Sequence, residues 1–380
     1  MAAKPRFFYF KLPDLELIAS DVQLEDTSIR WALNEPAELT ASLDRATAYQ
    51  QVRVESTGET VPLIRDHGTL IVVIEAGTAH SFIVDYVIDD DSSQDRLMFS
   101  AVGFGSIPMG EPWRGPAYKE IQVDPLDVFR HAWEWVTSDP STLNVSVDTT
   151  QSPVRIGEEE RDVSFETDDG DQVDFSAGPY RLNWWTTDDI GKELADLASN
   201  TPFEWREETR LSADSDDPPE FRIRLGYPRL GAPRRDDLKF TIGVNVTEPA
   251  QDDSIEFFSD VFVIGAGEGS AKVRGQYTRS GHGRMRKTKV ISDQSITSRQ
   301  RADEVAREHA DKADRDEQFI SSCRVLPHDA APIGSYSVGD VITITGRMSW
   351  GTVEQDGRIV SLERRFSDDS VLLELERISE

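Results

Sequence analysis

The chain has 380 residues, of which 41 are Lys or Arg and 70 are Asp or Glu, and its formal net charge is −29. This charge argues against tight binding to nucleic acid or to an anionic membrane, because clusters of Lys and Arg recognise both. Hydrophobic residues make up 38% of the sequence, which is enough to build cores for roughly two to four domains.

The N-terminus carries an aromatic patch at residues 7–10 between Arg6 and Lys11. It lacks the apolar stretch and the small-residue cleavage site of a leader peptide. Nowhere in the sequence do about 20 apolar residues follow one another, so we expect no membrane insertion.

The first hundred residues predict short strands separated by turns. Segments 69–75 and 81–88 are rich in β-branched and aromatic residues and flank Gly77, which indicates a hairpin. Segments 37–43 and 96–102 add further strands. Several short strands with no helix between them favour a small antiparallel barrel or sandwich.

The middle of the chain predicts two amphipathic helices. The first covers 124–138, with Asp124 as its N-cap and Pro125 at its first position. Its apolar face holds Leu126, Phe129, Ala132, Trp133 and Val136. The second covers about 187–198 and ends before Pro202. Between them, 162–167 and 172–176 predict a hairpin around an acidic turn.

The last 160 residues alternate predicted strands with a basic stretch and a charged helix. The predicted strands are 221–225, 238–246, 255–264, 335–346, 358–364 and 370–378, with a hairpin turn at 355–357. The helix covers 298–317 and has a thin apolar stripe of Ala302, Val305, Ala306, His309 and Ala313.

No motif predicts a cofactor, a metal ion or a catalytic centre. The glycines at 265–269 follow an apolar strand, but a dinucleotide fingerprint needs G-x-G-x-x-G opening a helix, and here Ser270 replaces the third glycine. The acidic clusters lack the glycine and glutamate of a calcium loop. The single cysteine, Cys323, excludes multi-thiolate metal centres and is expected to be a small buried side chain.

An enzyme with two carboxylates across a cleft would leave no signature among 70 acidic residues. The middle region also holds Trp133, Trp135, Trp184 and Trp185, which could form a platform for sugars. We expect Trp133 to lie in the core, and Trp135 and one of the adjacent pair to be exposed. A carbohydrate-active protein is therefore one alternative, and a host-receptor binding module at 111–215 is another.

The basic stretch at 272–289 is a candidate contact between subunits, because it can pair with the acidic face of a neighbouring copy. A solvated surface loop explains the same charges equally well. The candidate inter-subunit residues are Gly265, Gly267, Glu268, Arg274, Arg279, Arg284 and Arg286.

The order of these features resembles the baseplate hub, or tail-tip (minor tail), proteins of tailed bacteriophages, of the type found in phages of actinobacteria. The segments that carry the resemblance are WALNEPAELTASL (31–43), TLIVVIEAGTAHSFIVDYVI (69–88), LMFSAVGFGS (97–106), DPLDVFRHAWEWV (124–136), RLNWWTTDDIGKELADLASNTPFEW (181–205), the strand, glycine-rich loop and charged helix of 261–316, and YSVGDVITITG (336–346).

This resemblance implies a mainly β protein with an α+β insertion, made of two small tail-tube-like β-barrel domains and a helix-containing lateral domain. The first barrel would cover 1–110 and be completed by 220–264, the lateral domain 111–219, and the second barrel 265–380. Relatives with lytic activity carry a C-terminal hydrolase, and this sequence ends at the second barrel, so no enzymatic activity is expected.

The resemblance also implies a homotrimeric ring in the virion that continues the tail tube at the tail tip, made in the host cytoplasm. Its partners would be the distal tail ring, the tape measure and tip or fibre proteins, with DNA present only in transit. An acidic channel wall would keep DNA from sticking, because repulsion acts over a Debye length of about 8 Å at physiological salt.

Overall fold

The computed structural model describes residues 4–54, 56–88, 95–166, 172–211, 218–231, 234–251, 258–267, 272–279, 285–293, 296, 298–316, 319–349 and 351–378. Its helices are α1 (Arg45–Ala48), α2 (Pro125–Thr137), α3 (Ile190–Asn200) and α4 (Arg299–Asp316), with a short 3₁₀ turn at Phe104–Ser106. Among these helices, none is long and apolar enough to cross a bilayer.

The strands are β1 (Arg6–Lys11), β2 (Glu16–Ser20), β3 (Glu25–Ala32), β4 (Glu38–Asp44), β5 (Gln51–Arg53), β6 (Thr60–Pro62), β7 (Thr69–Glu75), β8 (Thr78–Ile88), β9 (Arg96–Val102), β10 (Tyr118–Glu120), β11 (Val145–Val147), β12 (Arg161–Glu166), β13 (Gln172–Ala177), β14 (Tyr180–Leu182), β15 (Glu204–Arg210), β16 (Glu220–Gly226), β17 (Phe240–Thr241), β18 (Val246–Gln251), β19 (Asp260–Ile264), β20 (Arg274–Thr278), β21 (Thr288–Ser292), β22 (Ile320–Val325), β23 (Val341–Met348), β24 (Gly351–Arg365) and β25 (Ser370–Arg377).

In the part of the chain that the structure describes, sixteen strands share one sheet, whose longest path is β11-β16-β15-β8-β9-β4-β3-β24-β25-β22-β18. The predicted mainly β fold with few helices is confirmed. The two expected closed barrels are not observed. Within the described residues the strand pairings form an open, branched path that closes no ring. Antiparallel pairing of β3 with β24 makes the N-terminal and C-terminal strands parts of the same sheet instead.

The described residues form four hydrophobic cores. The N-terminal core is enclosed by β1 to β9, the middle core by α2, α3, β11, β15 and β16, and the C-terminal core by β17, β18 and β22 to β25. The fourth lies between α4 and the small sheet β20-β19-β21. Strand β1 separates two of them, because Phe7 and Tyr9 point into the N-terminal core while Phe8 and Phe10 point into the middle core.

The strands between 220 and 264, expected to complete the first β-unit, pair elsewhere. Strand β16 pairs with β15 and β11, β17 with β23, β18 with β22, and β19 with β20 and β21. The domain limits at 110, 219 and 265 stay a prediction.

Three local predictions in the C-terminal half differ from the structure. The expected strand at 335–346 begins only at Val341, as β23. The expected turn at 355–357 lies inside β24, where Gln355 is paired with Ile344 of β23. The expected strand at 238–246 is interrupted by a turn at Gly243, whose φ is +81°, so only β17 and the start of β18 are extended.

Candidate functional site

The predicted inter-subunit segment belongs to a small unit, the β19–β21 module, formed by β19, β20, β21 and α4. Strand β19 is the centre, antiparallel to β20 and parallel to β21. The helix covers one face of this sheet and buries Ala302 and Ala306 against Val261 and Val263. Gly275 allows the close approach, because a Cβ there would overlap the backbone of Ala302.

The two candidate glycines, Gly265 and Gly267, have backbone roles. The amide of Gly265 donates to the carbonyl of Val273 at 2.7 Å, and a Cβ on Gly265 would overlap the carbonyl of Ile296. Gly267 has a φ of +116°, a conformation that side chains disfavour. Glu268 lies outside the described residues, so its predicted role stays a prediction.

The arginines of the segment fall into different environments. Arg286 forms an ion pair with the buried Asp260, at 2.6 Å between Nη2 and Oδ2. Arg279 lies 3.6 Å from Asp311 of α4. Arg274 is exposed at the start of β20. Arg284 lies outside the described residues. Sequence reasoning missed Asp260, because its partners are 16 to 28 residues away along the chain.

Asp260 is 1% exposed and accepts hydrogen bonds on both carboxylate oxygens. Gln276 and Thr278 donate to Oδ1, and Arg286 and Thr288 donate to Oδ2. Burial alone would raise the pKa of this carboxyl, but the hydrogen bonds from its four donors outweigh burial and hold the pKa well below its usual range. Asp260 therefore stays ionised and fixes β19, β20 and the approach to β21.

The tryptophans of the middle region differ in exposure. Trp135, which was expected to be exposed, is half-buried and packs against Trp113 with ring centroids 5.5 Å apart. Trp133 is 1% exposed, which confirms its predicted place in the core. Trp184 and Trp185 are 71% and 61% exposed, so both members of the adjacent pair face outward where one was expected. Their ring centroids are 5.5 Å apart at 84°. The turn that carries them is held by hydrogen bonds from the amides of Thr186 and Thr187 to Asn183.

A second cluster, which sequence reasoning missed, surrounds Glu207 of β15. The amide of Gly105 donates to one oxygen of the Glu207 carboxylate, and the amide of Ala37 donates to the other at 3.3 Å. A Cβ on Gly103 or on Gly105 would overlap this carboxylate. The Gly-Phe-Gly sequence at 103–105 was visible, but a carboxylate 102 residues away gave no local signal.

Glu207 lines a cavity of about 350 Å³ where the N-terminal and middle cores meet the C-terminal strands. Trp31 and His80 stack across its wall with ring centroids 4.4 Å apart. Burial raises the pKa of Glu207 to about 7, against hydrogen bonds that lower it. Burial and the nearby Arg206 lower the pKa of His80 to about 4. Other charged residues around the cavity are Glu35, Glu208 and Arg210.

Two ion pairs with little solvent exposure tie the C-terminal core to its neighbours. Arg364 of β24 binds Glu75 of β7 through Nη2 at 2.8 Å, and the two side chains are 3% and 13% exposed. Arg358 binds Glu204 of β15 through Nη1 at 2.7 Å. Within the described residues no group of three or more potential ligands is placed to hold a metal ion. These two ion pairs join the C-terminal core to the N-terminal and middle cores.

Comparison with solved structures shows that known proteins share this fold. The chain is similar to the 43 kDa tail protein of prophage MuSo2 from Shewanella oneidensis, with a TM-score of 0.56, 10% identity and coverage of 98% of both chains. It is also similar to a tail protein from Neisseria meningitidis MC58, with a TM-score of 0.53, 10% identity and coverage of 98% of this chain and 96% of that one. The predicted resemblance to phage tail proteins is therefore confirmed at the level of the fold.

No known family matches the chain by its sequence, and no curated protein is significantly similar to it.

Proposed function

We propose that the chain is a structural protein of a phage tail tip, a baseplate hub that acts through assembly and not through catalysis. The observation that carries this proposal is the shared fold with two tail proteins over nearly the full length of each chain. A fold alone supports several functions. Here the similarity extends across all the units of the chain, which favours a common architecture over a borrowed domain.

The proposed assembly is a homotrimeric ring in the virion that continues the tail tube. Its N-terminal and C-terminal β-units, joined through β3 and β24, would act as the two tube-like domains of each subunit, and the middle core would form the lateral domain. The distal tail ring, the tape measure and tip or fibre proteins would be its partners. Assignment to phages of actinobacteria stays part of the proposal.

The net charge supports a channel through which DNA passes without binding. A wall of Asp and Glu repels phosphates, and no counterions are released to stabilise a complex. The formal charge of −29 per chain supplies such a wall if part of it faces the lumen. A reconstructed ring with a neutral or basic bore would contradict this.

The test is the mass of the purified protein by light scattering over a range of concentrations, followed by negative-stain imaging. A trimer has about 128 kDa, three times the 42.6 kDa of one chain, and we expect particles with a central hole. A compact monomer at every concentration would contradict ring formation.

A carbohydrate-binding or wall-degrading tail protein is a second candidate, favoured by the exposure of Trp184 and Trp185. Exposed indole rings are suited to stacking on the apolar face of a sugar. Replacing both by Ala should abolish retention on host peptidoglycan or polysaccharide if this candidate is right. Tyr86→Ala is the control, because Tyr86 is an equally exposed aromatic residue at 61%. Release of soluble sugar would indicate degradation, and no retention of the unaltered protein would exclude this function for the glycans tested.

A further inference from the structure

The helix-free face of the β19–β21 module carries an apolar row. Side chains alternate across a strand, so Val261 and Val263 point toward α4 while Phe262 and Ile264 point to the other face. Val290 of β21 is paired directly with Phe262 and is 58% exposed. In the described chain, Phe262 and Ile264 belong to none of the four cores.

The polar end of this face is closed. Asp260 lies on the same face as Phe262, but Arg286 pairs with its charge, and Gln276, Thr278 and Thr288 donate hydrogen bonds to its oxygens. Arg286 is therefore occupied within its own chain and is not the cation that a partner would bind. Among the described residues, the rest of this face is formed by the half-buried Phe262 and Ile264 and the exposed Val290, and it is bordered by the exposed Arg274, which is paired with Ile264.

We propose that this helix-free face is a docking surface for a second copy of this chain. The inference rests on the proposed ring and deepens it, because it names a contact between subunits. Of the predicted inter-subunit residues it keeps Arg274 in the contact, and it adds the apolar row.

The charge of the segment around this face indicates which partner docks on it. Residues 269–292 contain seven Lys or Arg and no Asp or Glu, whereas the other 356 residues contain 34 basic and 70 acidic side chains. A second copy therefore offers a strongly acidic surface to a basic segment that carries Arg274 at the edge of this face. The centre of the face is apolar, which suits a protein surface and not a phosphate backbone, since DNA is bound through cation clusters.

The area of this face is too small for it to be the whole interface between two subunits. Three strands of five residues cover roughly 14 Å by 16 Å at ordinary strand spacing and rise. This is well below the about 800 Å² per partner of a stable interface. The face is thus one contact among several in a heterologous ring interface, in which a patch on one subunit meets a different patch on the next.

The first experiment compares Val290→Asp with Val244→Asp by light scattering as a function of concentration. Val244 is a matched control, because it is 57% exposed and lies in the turn after β17. Both substitutions place a charge on an exposed position and should leave the monomer folded. We expect Val290→Asp to raise the trimer dissociation constant at least tenfold and Val244→Asp to leave it unchanged. An unchanged constant for Val290→Asp overturns the inference.

A second experiment separates this inference from the proposed trimer. A photoreactive benzophenone amino acid replaces Val290, or Val244 as the control, and the purified protein is irradiated with and without a DNA fragment. We expect cross-links between copies from position 290 only. A trimer without these cross-links overturns the surface and leaves the ring standing. Cross-links in a protein that is otherwise monomeric support the surface and contradict the stable ring. Cross-links to DNA in place of a second copy overturn the inference.

Discussion

Glu207 and His80 line one cavity, and burial favours the neutral form of each side chain. Because one is an acid and the other a base, the two side chains make stability depend on pH with opposite signs. The folded pKa of Glu207 is about 7 against an ordinary 4.5, so between these pH values the folded protein holds a proton that the unfolded chain has lost. Its contribution to stability therefore falls as the pH rises through this window. The folded pKa of His80 is about 4 against 6.5, so its contribution rises with pH between 4 and 6.5. The two effects oppose each other from pH 4.5 to 6.5.

Replacing either side chain alone should reveal its own contribution to the pH dependence of the free energy of unfolding. For Glu207→Gln, the free energy of unfolding relative to the unaltered protein should rise with pH between 4.5 and 7, by at most about 1.4 kcal/mol per pH unit. For His80→Gln, the same difference should fall with pH between 4 and 6.5. Urea denaturation at half-unit pH steps measures both. Parallel pH profiles for the unaltered protein and Glu207→Gln would show that Glu207 does not titrate in this window, and Glu208→Gln tests whether the effect belongs to Glu207 alone.

Individual elements were predictable where local chemistry and packing agree. Strands β7 and β9 and helix α2 have almost the predicted limits, because their alternation, N-cap and apolar face specify the same structure that the cores select. The turn at 355–357 failed because strand pairing overrides Asp-Gly turn chemistry: Thr343 and Arg234 both donate to the Asp356 carboxylate across the sheet. The Asp260 cluster was equally invisible, since contacts between distant segments have no local sequence pattern.

The N-cap of α2 is also a tertiary contact, which gives a prediction for this element. Asp124 is 4% exposed and accepts from Leu126 in its own helix and from the amide and hydroxyl of Ser152, at 2.9, 2.6 and 2.8 Å. Asp124→Ala should cost about 2–3 kcal/mol, because it removes a cap and leaves buried donors without an acceptor. Asp189, the N-cap of α3, accepts from the amides of Lys192 and Gly110, both at exposed positions, so Asp189→Ala should cost only about 1 kcal/mol because water can replace the carboxylate. Equal losses in urea denaturation would contradict the cost of leaving buried donors unpaired at Asp124.

At the scale of the whole molecule, carboxylates join the three larger cores. Glu75 links the N-terminal to the C-terminal core through Arg364, and Glu204 links the middle to the C-terminal core through Arg358. Glu207 links the middle to the N-terminal core through backbone amides. Among the described elements, those of the β19–β21 module pack mainly on one another. In the proposed ring, the three joined units would act as one body and this module would contact the next subunit.

The Glu75–Arg364 pair offers a test of how strongly the units are joined. Arg364 is 3% exposed, so Arg364→Leu should cost about 3–5 kcal/mol by leaving Glu75 with a charge and no partner. The double variant Glu75→Gln/Arg364→Leu should cost less than the sum of the two single changes, since it leaves neither charge of the pair buried without its partner. The exposed pair of Arg6 and Asp21, 41% and 50% exposed, is the matched control, and its coupling should be much weaker because solvent screens both charges. Urea denaturation monitored by tryptophan fluorescence measures each value. Additive losses at Glu75 and Arg364 would mean that the pair does not hold the two cores together, and a second unfolding transition in Arg364→Leu would mean that the cores have become independent.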